Sequence, residues 1–320
     1  MDIKHRHQIK AIIAAILVSF LLIGSVSYSA PITEAHHPLN EGWNGCSQVY
    51  NMVPHAQLLY SYAPYLPNST SLITIIGPQI LFQNNENVEL RSFLESGGTV
   101  LLADDYGSGN SLLRGLNVSA RFSGKALADL YFYSRTPSFP LISDFALNAL
   151  SRNITAIIMD HPTYIEILNP ALVNVVALSS PFSFIDLQNS GTLSANENTQ
   201  AYPVIATTHI GRGLLVLVAN ANMFQNELIN LFNNQILFRN ILRFATGTTT
   251  FDLAHLKNAP LTDARIRFKQ ELETSLTVIH STLVQALMAA GLIVAFSVIL
   301  VVSPRPRVTR GFPRVIKLTY

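Results

Sequence analysis

Residues 85–105 read NENVELRSFLESGGTVLLADD, and this stretch decides the fold. Val88, Leu90, Phe93 and Leu94 recur at helical spacing, which predicts an amphipathic helix over 85–96. Gly97-Gly98 closes it, because glycine takes the left-handed conformation that ends helices. Residues 99–103 (TVLLA) follow with no polar break, as a strand buried on both faces does. Helix, glycine pair and buried strand in this order form the unit of a parallel α/β sheet.

The pattern extends in both directions. Upstream, residues 71–77 (SLITIIG) form a second buried apolar run, closed by Gly77-Pro78, and Ser47 is placed to cap a helix running to about residue 60. Downstream, Asp104-Asp105 and the loop YGSGN lead to a short helix around 111–116. Residues 121–135 read as β or mixed, 155–159 and 173–177 as short strands, and 188–200 as a polar surface loop. Residues 203–208 and 214–219 flank Gly211-Arg212-Gly213 as two strands joined by a tight turn. A long helix is expected over 226–244, and no internal repeat is visible. The expected class is α/β, a mainly parallel sheet flanked by helices.

Two stretches lack charge altogether. Residues 11–30 and 281–304 are each long enough, at 1.5 Å per residue, to cross a hydrocarbon core of about 30 Å as a helix. Lys4, Arg6 and Lys10 precede the first; Arg305, Arg307, Arg310, Arg314 and Lys317 follow the second. Basic flanks stay on the cytoplasmic side, so both termini are expected inside and the intervening domain outside. The first stretch also has the charged start, apolar run and small residues of a signal peptide; anchor or signal, the domain is exported. The expected layout is a cytoplasmic start (1–10), a transmembrane helix or signal anchor (11–30), an extracytoplasmic α/β domain (31–245), a linker and stalk helix (246–280), a transmembrane helix (281–303) and a basic cytoplasmic tail (304–320). Ala286, Ala289, Ala290 and Gly291 offer the second segment a small-residue packing face.

Charge excludes one class of function. The chain is only 12% charged, and removing the two ends leaves 13 basic and 18 acidic residues in 31–280, a net −5. The basic balance therefore sits in the ends, and a nucleic-acid-binding domain is not expected. Asn68, Asn117 and Asn153 stand in Asn-x-Ser/Thr sequons and are glycosylation candidates, in keeping with export. The lone Cys46 rules out an internal disulfide and an all-cysteine metal site.

The runs ELRSFLESGGTVLLADD (89–105), GRGLLVLVANANMFQNELINLFNNQILFRNILRF (211–244) and WNGCSQVYNMV (43–53) resemble an uncharacterised membrane-protein family, domain of unknown function 4350. The resemblance spans roughly residues 40–245 and implies a fold similar to class I glutamine amidotransferases, a flavodoxin-like three-layer sandwich. It also implies a membrane-anchored protein of archaea or bacteria, often encoded near a MoxR-type AAA ATPase and proteins with von Willebrand A-like domains, and so a component of a membrane-associated assembly. The chain departs from the family layout in having little recognisable strand before Trp43.

An amidotransferase needs a cysteine on a strand-to-helix turn and a histidine oriented by an acid. The turn after TVLLA holds Asp104-Asp105-Tyr106, and the segment after LLVLVA holds Asn220, Ala221 and Asn222. No catalytic residue, cofactor or metal is therefore expected, and Cys46 is read as a small loop or partly buried residue. Asp104, Asp105 and Ser108 remain ligand-binding candidates, because open α/β sheets bind ligands at strand carboxyl ends. Capping of the next helix explains the same aspartates structurally. The rival is a hydrolase using Asp104/Asp105 or Asp160-His161. Adjacent His36-His37 should point apart in a linker, and His209 should sit at a strand end.

Overall fold

A computed structural model describes residues 31–62 and 70–258, with a few isolated positions elsewhere. The expected membrane segments, the stalk and Asn68 lie outside the described residues. Among the described residues no helix is long and apolar enough to cross a membrane.

The strands are β1 (Gln57–Leu59), β2 (Thr70–Ile76), β3 (Thr99–Ala103), β4 (Ala120–Phe122), β5 (Leu127–Asp129), β6 (Leu141–Ile142) and β7 (Asp144–Phe145), followed by β8 (Ile157–Ile158), β9 (Ile165–Ile167), β10 (Asn174–Leu178), β11 (Ser183–Ile185), β12 (Pro203–Ile210), β13 (Gly213–Val218) and β14 (Thr248–Asp252). The helices are α1 (Ser47–Asn51), α2 (Asn84–Glu95), α3 (Gly109–Gly115) and α4 (Asn234–Leu242). Eight strands form one sheet in the order β1-β14-β2-β3-β13-β12-β10-β7. The fold is α/β, with a mixed, mainly parallel sheet flanked by helices.

The deciding stretch folds as its periodicity dictates. Glu86 accepts from the Gln83 N–H at 2.7 Å and closes the first turn of α2. Gly97, at φ +108°, turns the chain, and the Gly97 and Gly98 N–H groups return to Leu94 and Phe93 carbonyls. β3 is buried along its whole length and pairs in parallel with β2 and β13. Its neighbours contribute Leu72, Ile73, Ile75, Leu215, Val216 and Leu217 to the core, all without exposure.

The sheet turns mixed at one hairpin. β12 and β13 meet across Gly211-Arg212, with Gly211 at φ +58°, so they run antiparallel. A Cβ on Gly211 would lie 2.6 Å from the Glu95 Cα, so the turn packs against the end of α2. Beyond this hairpin, β10 and β7 continue antiparallel.

Five expectations fail, each for a local reason. Residues 246–260 are not a linker: Thr248–Asp252 is a strand between β1 and β2. Its Thr-Thr-Thr-Phe run looks polar, but three β-branched threonines suit a strand, and Thr249 and Thr250 are buried. The domain thus extends past residue 245. The segment around His36-His37, expected as linker, is packed into the domain instead, since His37, Asn40 and Gly45 are buried. The first helix stops at Asn51, short of residue 60, because Pro54 biases the preceding residue away from helix and His55 takes φ +55°. The long helix over 226–244 is reduced to α4, preceded by a 3-10 turn at Asn222–Phe224, and Phe232 at φ +48° breaks the path. Residues 155–159 yield only Ile157–Ile158, paired with β6 outside the main sheet.

Candidate functional site

The carboxyl ends of β2, β3 and β13 lie side by side, and the loops leaving them form the candidate site. Asp104, directly after β3, turns inward and is 1% exposed. Its Oδ1 accepts from the N–H groups of Asp105 (2.9 Å) and Gly107 (3.0 Å), and its Oδ2 from Gly109 (2.7 Å). Burial pushes its carboxyl up to about 6, against the pull of these three donors. Ser108 is buried too; its hydroxyl donates to the Ile80 carbonyl at 2.6 Å and its N–H to Pro78. Asp104 and Ser108 hold the loop that opens α3, which is a structural task.

Asp105 points the other way. Its Oδ1 accepts from the Tyr106 N–H at 2.8 Å, and its Oδ2 lies 3.5 Å from the Asn220 Nδ2. Burial raises its carboxyl, while the Tyr106 N–H and the His36 charge oppose the rise. Asn220 is fully buried and joins two segments: its Nδ2 donates to the Asp160 carbonyl at 2.7 Å, and its Oδ1 accepts from the Asp160 and Met223 N–H groups. Asn222 Nδ2 reaches the Asp160 carboxylate at 3.2 Å. The other Asp160 oxygen contacts Nδ1 of His161, whose ring is exposed and meets Phe139 edge-on.

The leading segment completes the cluster. His36 Nε2 lies 3.0 Å from Asn222 Oδ1 and 2.9 Å from Gln225 Nε2. Its ring covers Gly77, where a Cβ would approach Nδ1 to 2.3 Å; no side chain fits between them. Burial lowers the His36 pKa, with partial compensation from the Asn222 hydrogen bond and Asp105. His37 turns elsewhere: its Nδ1 accepts from Leu39 N–H, and burial lowers it to about 4.

Of the three ligand-binding candidates, Asp105 alone lines this cluster, while Asp104 and Ser108 are turned into the loop. Asp160 and His161 do touch each other and reach Asp105 through Asn220. The pairing of His36 with Asn222 and Gln225 escaped sequence reading, because it spans 186 and 189 residues. The signal available was the Asn-Ala-Asn-Met-Phe-Gln-Asn run itself, dense in amides after a buried strand.

Elsewhere, Cys46 is fully buried and burial raises its thiol pKa far above the usual range, correcting a partly buried loop position. Asn117 and Asn153 are exposed, both at positive φ. His209 Nδ1 contacts the Gly213 carbonyl at 3.0 Å, across the hairpin. A second titratable group is buried at the carboxyl end of β14: His255 Nδ1 lies 3.0 Å from Asp252 and its Nε2 3.3 Å from Glu86, with Phe82 stacked on the ring at 3.6 Å. Among the described residues no group of three histidines, cysteines or carboxylates could hold a metal ion.

Solved structures with a similar course include the mmIFT52 N-terminal domain (20% identity, TM-score 0.43, covering 55% of this chain and 78% of that one). A cytoplasmic protein from Salmonella typhimurium LT2 matches at 10% identity and TM-score 0.37, over 63% of this chain and 79% of its own. A thua-like protein from Bacteroides uniformis matches at 13% and 0.32, over 55% and 69%. Likenesses this distant carry no argument about activity. No curated protein matches the chain. A family model does, over residues 38–242, from the leading segment through α4 and including every residue of the cluster but His36. The match takes in more than half of the chain, and the chain therefore belongs to the DUF4350 family, a domain of unknown function.

Proposed function

We propose that the chain is a membrane-anchored, extracytoplasmic binding and scaffold domain that performs no catalysis and serves a complex driven by a MoxR-type ATPase. One observation carries the reading. The loops where an amidotransferase-like fold would place its nucleophile and base hold aspartate and asparagine side chains spent on fixing backbone. Asp104 accepts three N–H groups, and Asn220 bonds both the N–H and the carbonyl of Asp160. Groups so engaged suit a rigid recognition surface better than proton transfer. The two apolar segments and their basic flanks support anchoring, with the domain outside.

The test is crosslinking of the full chain in its native membrane, followed by affinity capture. Co-recovery of an AAA ATPase or a von Willebrand A-like protein is the expected result. Recovery of the chain alone from crosslinked membrane would overturn the scaffold role.

One contact favours a second reading, a hydrolase: Asp160 and His161 are paired, with Asn222 on the second carboxylate oxygen. Hydrolysis of ester or amide substrates by the purified chain, abolished in His161→Ala, would establish it over the first.

A further inference from the structure

We infer that the rim carrying Trp43, Ile80, Leu81 and Tyr106 is a seat for the lipid bilayer surface, on which the domain rests once it is anchored. The inference builds on the anchoring reading and adds an orientation and a contact surface to it.

Chain length sets the distance. The first apolar segment ends at Ala30, and Glu34 is already part of the fold: its carbonyl accepts from Asn40 Nδ2 at 2.8 Å, and its carboxylate from the Asn258 N–H at 2.6 Å. Four residue steps separate Ala30 from Glu34, and an extended chain covers at most about 14 Å in four steps. If residues 11–30 span the membrane, this corner of the domain has no room to stand off from it.

The same corner exposes apolar side chains that the fold holds in place. Trp43, the single tryptophan, is 67% exposed. Its loop is clamped by Asn226, whose Nδ2 donates to the carbonyls of Asn40 (3.0 Å) and Gly42 (2.7 Å), while the Glu227 N–H donates to the Trp43 carbonyl. Ile80 and Leu81, 39% and 60% exposed, sit on the turn after β2. That turn is tied to the departing chain twice: the Gln79 and Ile80 N–H groups donate to the His255 carbonyl, and the Lys257 N–H to Gln79 Oε1. Ser108 joins the Asp104 loop to the same turn and thereby sets Tyr106, 51% exposed, beside it. Tryptophan and tyrosine favour the membrane–water interface, where an apolar ring and a polar edge are both satisfied.

Charge defines the kind of lipid contact. Glu41 and Lys257 are exposed at this rim, as is Glu227, which pairs with Arg135, and among the described residues no basic cluster accompanies them. The seat is therefore apolar and aromatic, and a zwitterionic surface suffices.

The single tryptophan makes the test direct. Full-length protein is reconstituted in phosphatidylcholine vesicles and washed with alkaline carbonate, which removes peripheral proteins. Expected are a blue-shifted Trp43 emission, quenching by phosphatidylcholine brominated near the headgroup, and protection from aqueous iodide. In Ile80→Lys/Leu81→Lys the lipid quenching falls, with an unchanged circular dichroism spectrum. Trp43 open to iodide and untouched by brominated lipid, in carbonate-resistant protein, would overturn the seat and leave anchoring intact. Protection from iodide without lipid quenching would assign the rim to a protein contact and also overturn it. Removal of the protein by carbonate would sink the anchoring reading and the seat together.

Discussion

The carboxylate of Glu34 accepts a hydrogen bond from the backbone N–H of Asn258, 224 residues later in the chain. The domain therefore takes in its chain and releases it at one corner. β14 produces this closure: it enters the sheet between β1 and β2, and the chain that leaves it returns Asn258 to Glu34.

Asn234 is the side chain whose loss should cost most for its size. It is fully buried, donates to the carbonyls of Ile158, Met223 and Leu228, and accepts from the Ile158 N–H. Asn234→Ala leaves those groups without partners and is expected to lower the unfolding free energy by about 3 kcal/mol. Urea titration followed by circular dichroism measures it. A loss below 1 kcal/mol would mean that water replaces the amide.

Asp104 predicts a pH effect of definite sign. Its native carboxyl stands near 6, above the usual 3.8, so the folded state binds the proton more tightly. Stability from this group is complete below the unfolded value and is lost as pH rises through 6, by an amount on the order of 3 kcal/mol. Asp104→Asn should flatten that slope between pH 4 and 6. Asp104→Ala should destabilise at every pH, because three N–H groups, that of Gly109 buried, lose their acceptor.

His255 gives the opposite case in chemistry and the same sign in pH. Burial by itself would lower its pKa, but hydrogen bonds and charge from Asp252, then Glu86, outweigh burial and raise it. Tyr62, packed on the ring, completes the titratable surroundings. The contribution is full below the usual 6.5 and is lost as pH rises through the higher native value. Denaturation midpoints of wild type and His255→Gln should diverge in acid and converge toward alkaline pH.

Cys46 should be inert in the native protein. It is fully buried, and burial disfavours its thiolate. Maleimide labelling is expected only when denaturant unfolds the domain. Rapid labelling without denaturant would show that the leading segment opens locally.

The helix α2, the Gly97-Gly98 closure, β3 and the β12–β13 hairpin were legible in the sequence, because each is fixed by residues close together in the chain. Helical spacing, a left-handed glycine and an unbroken apolar run need no distant partner to be recognised. The placement of Asp104-Asp105 at a strand's carboxyl end followed from the same local logic. So did the two uncharged segments and the acidic balance between them.

Tertiary structure alone decided the rest. Thr248–Asp252 is a polar-looking run until β1 and β2 supply hydrogen bonds on both sides. The helix expected over 226–244 loses its first half because Asn226 and Asn233 bond to distant backbone, Asn226 to residues 40–48 and Asn233 to residues 155 and 156. Which of two adjacent aspartates faces the site was set by where three N–H groups converge, and His36 joined it only through Asn222 and Gln225. Side-chain hydrogen bonds between residues this far apart, 77 to 189 positions, leave no periodicity in a sequence. They exist only after the sheet has brought their partners together.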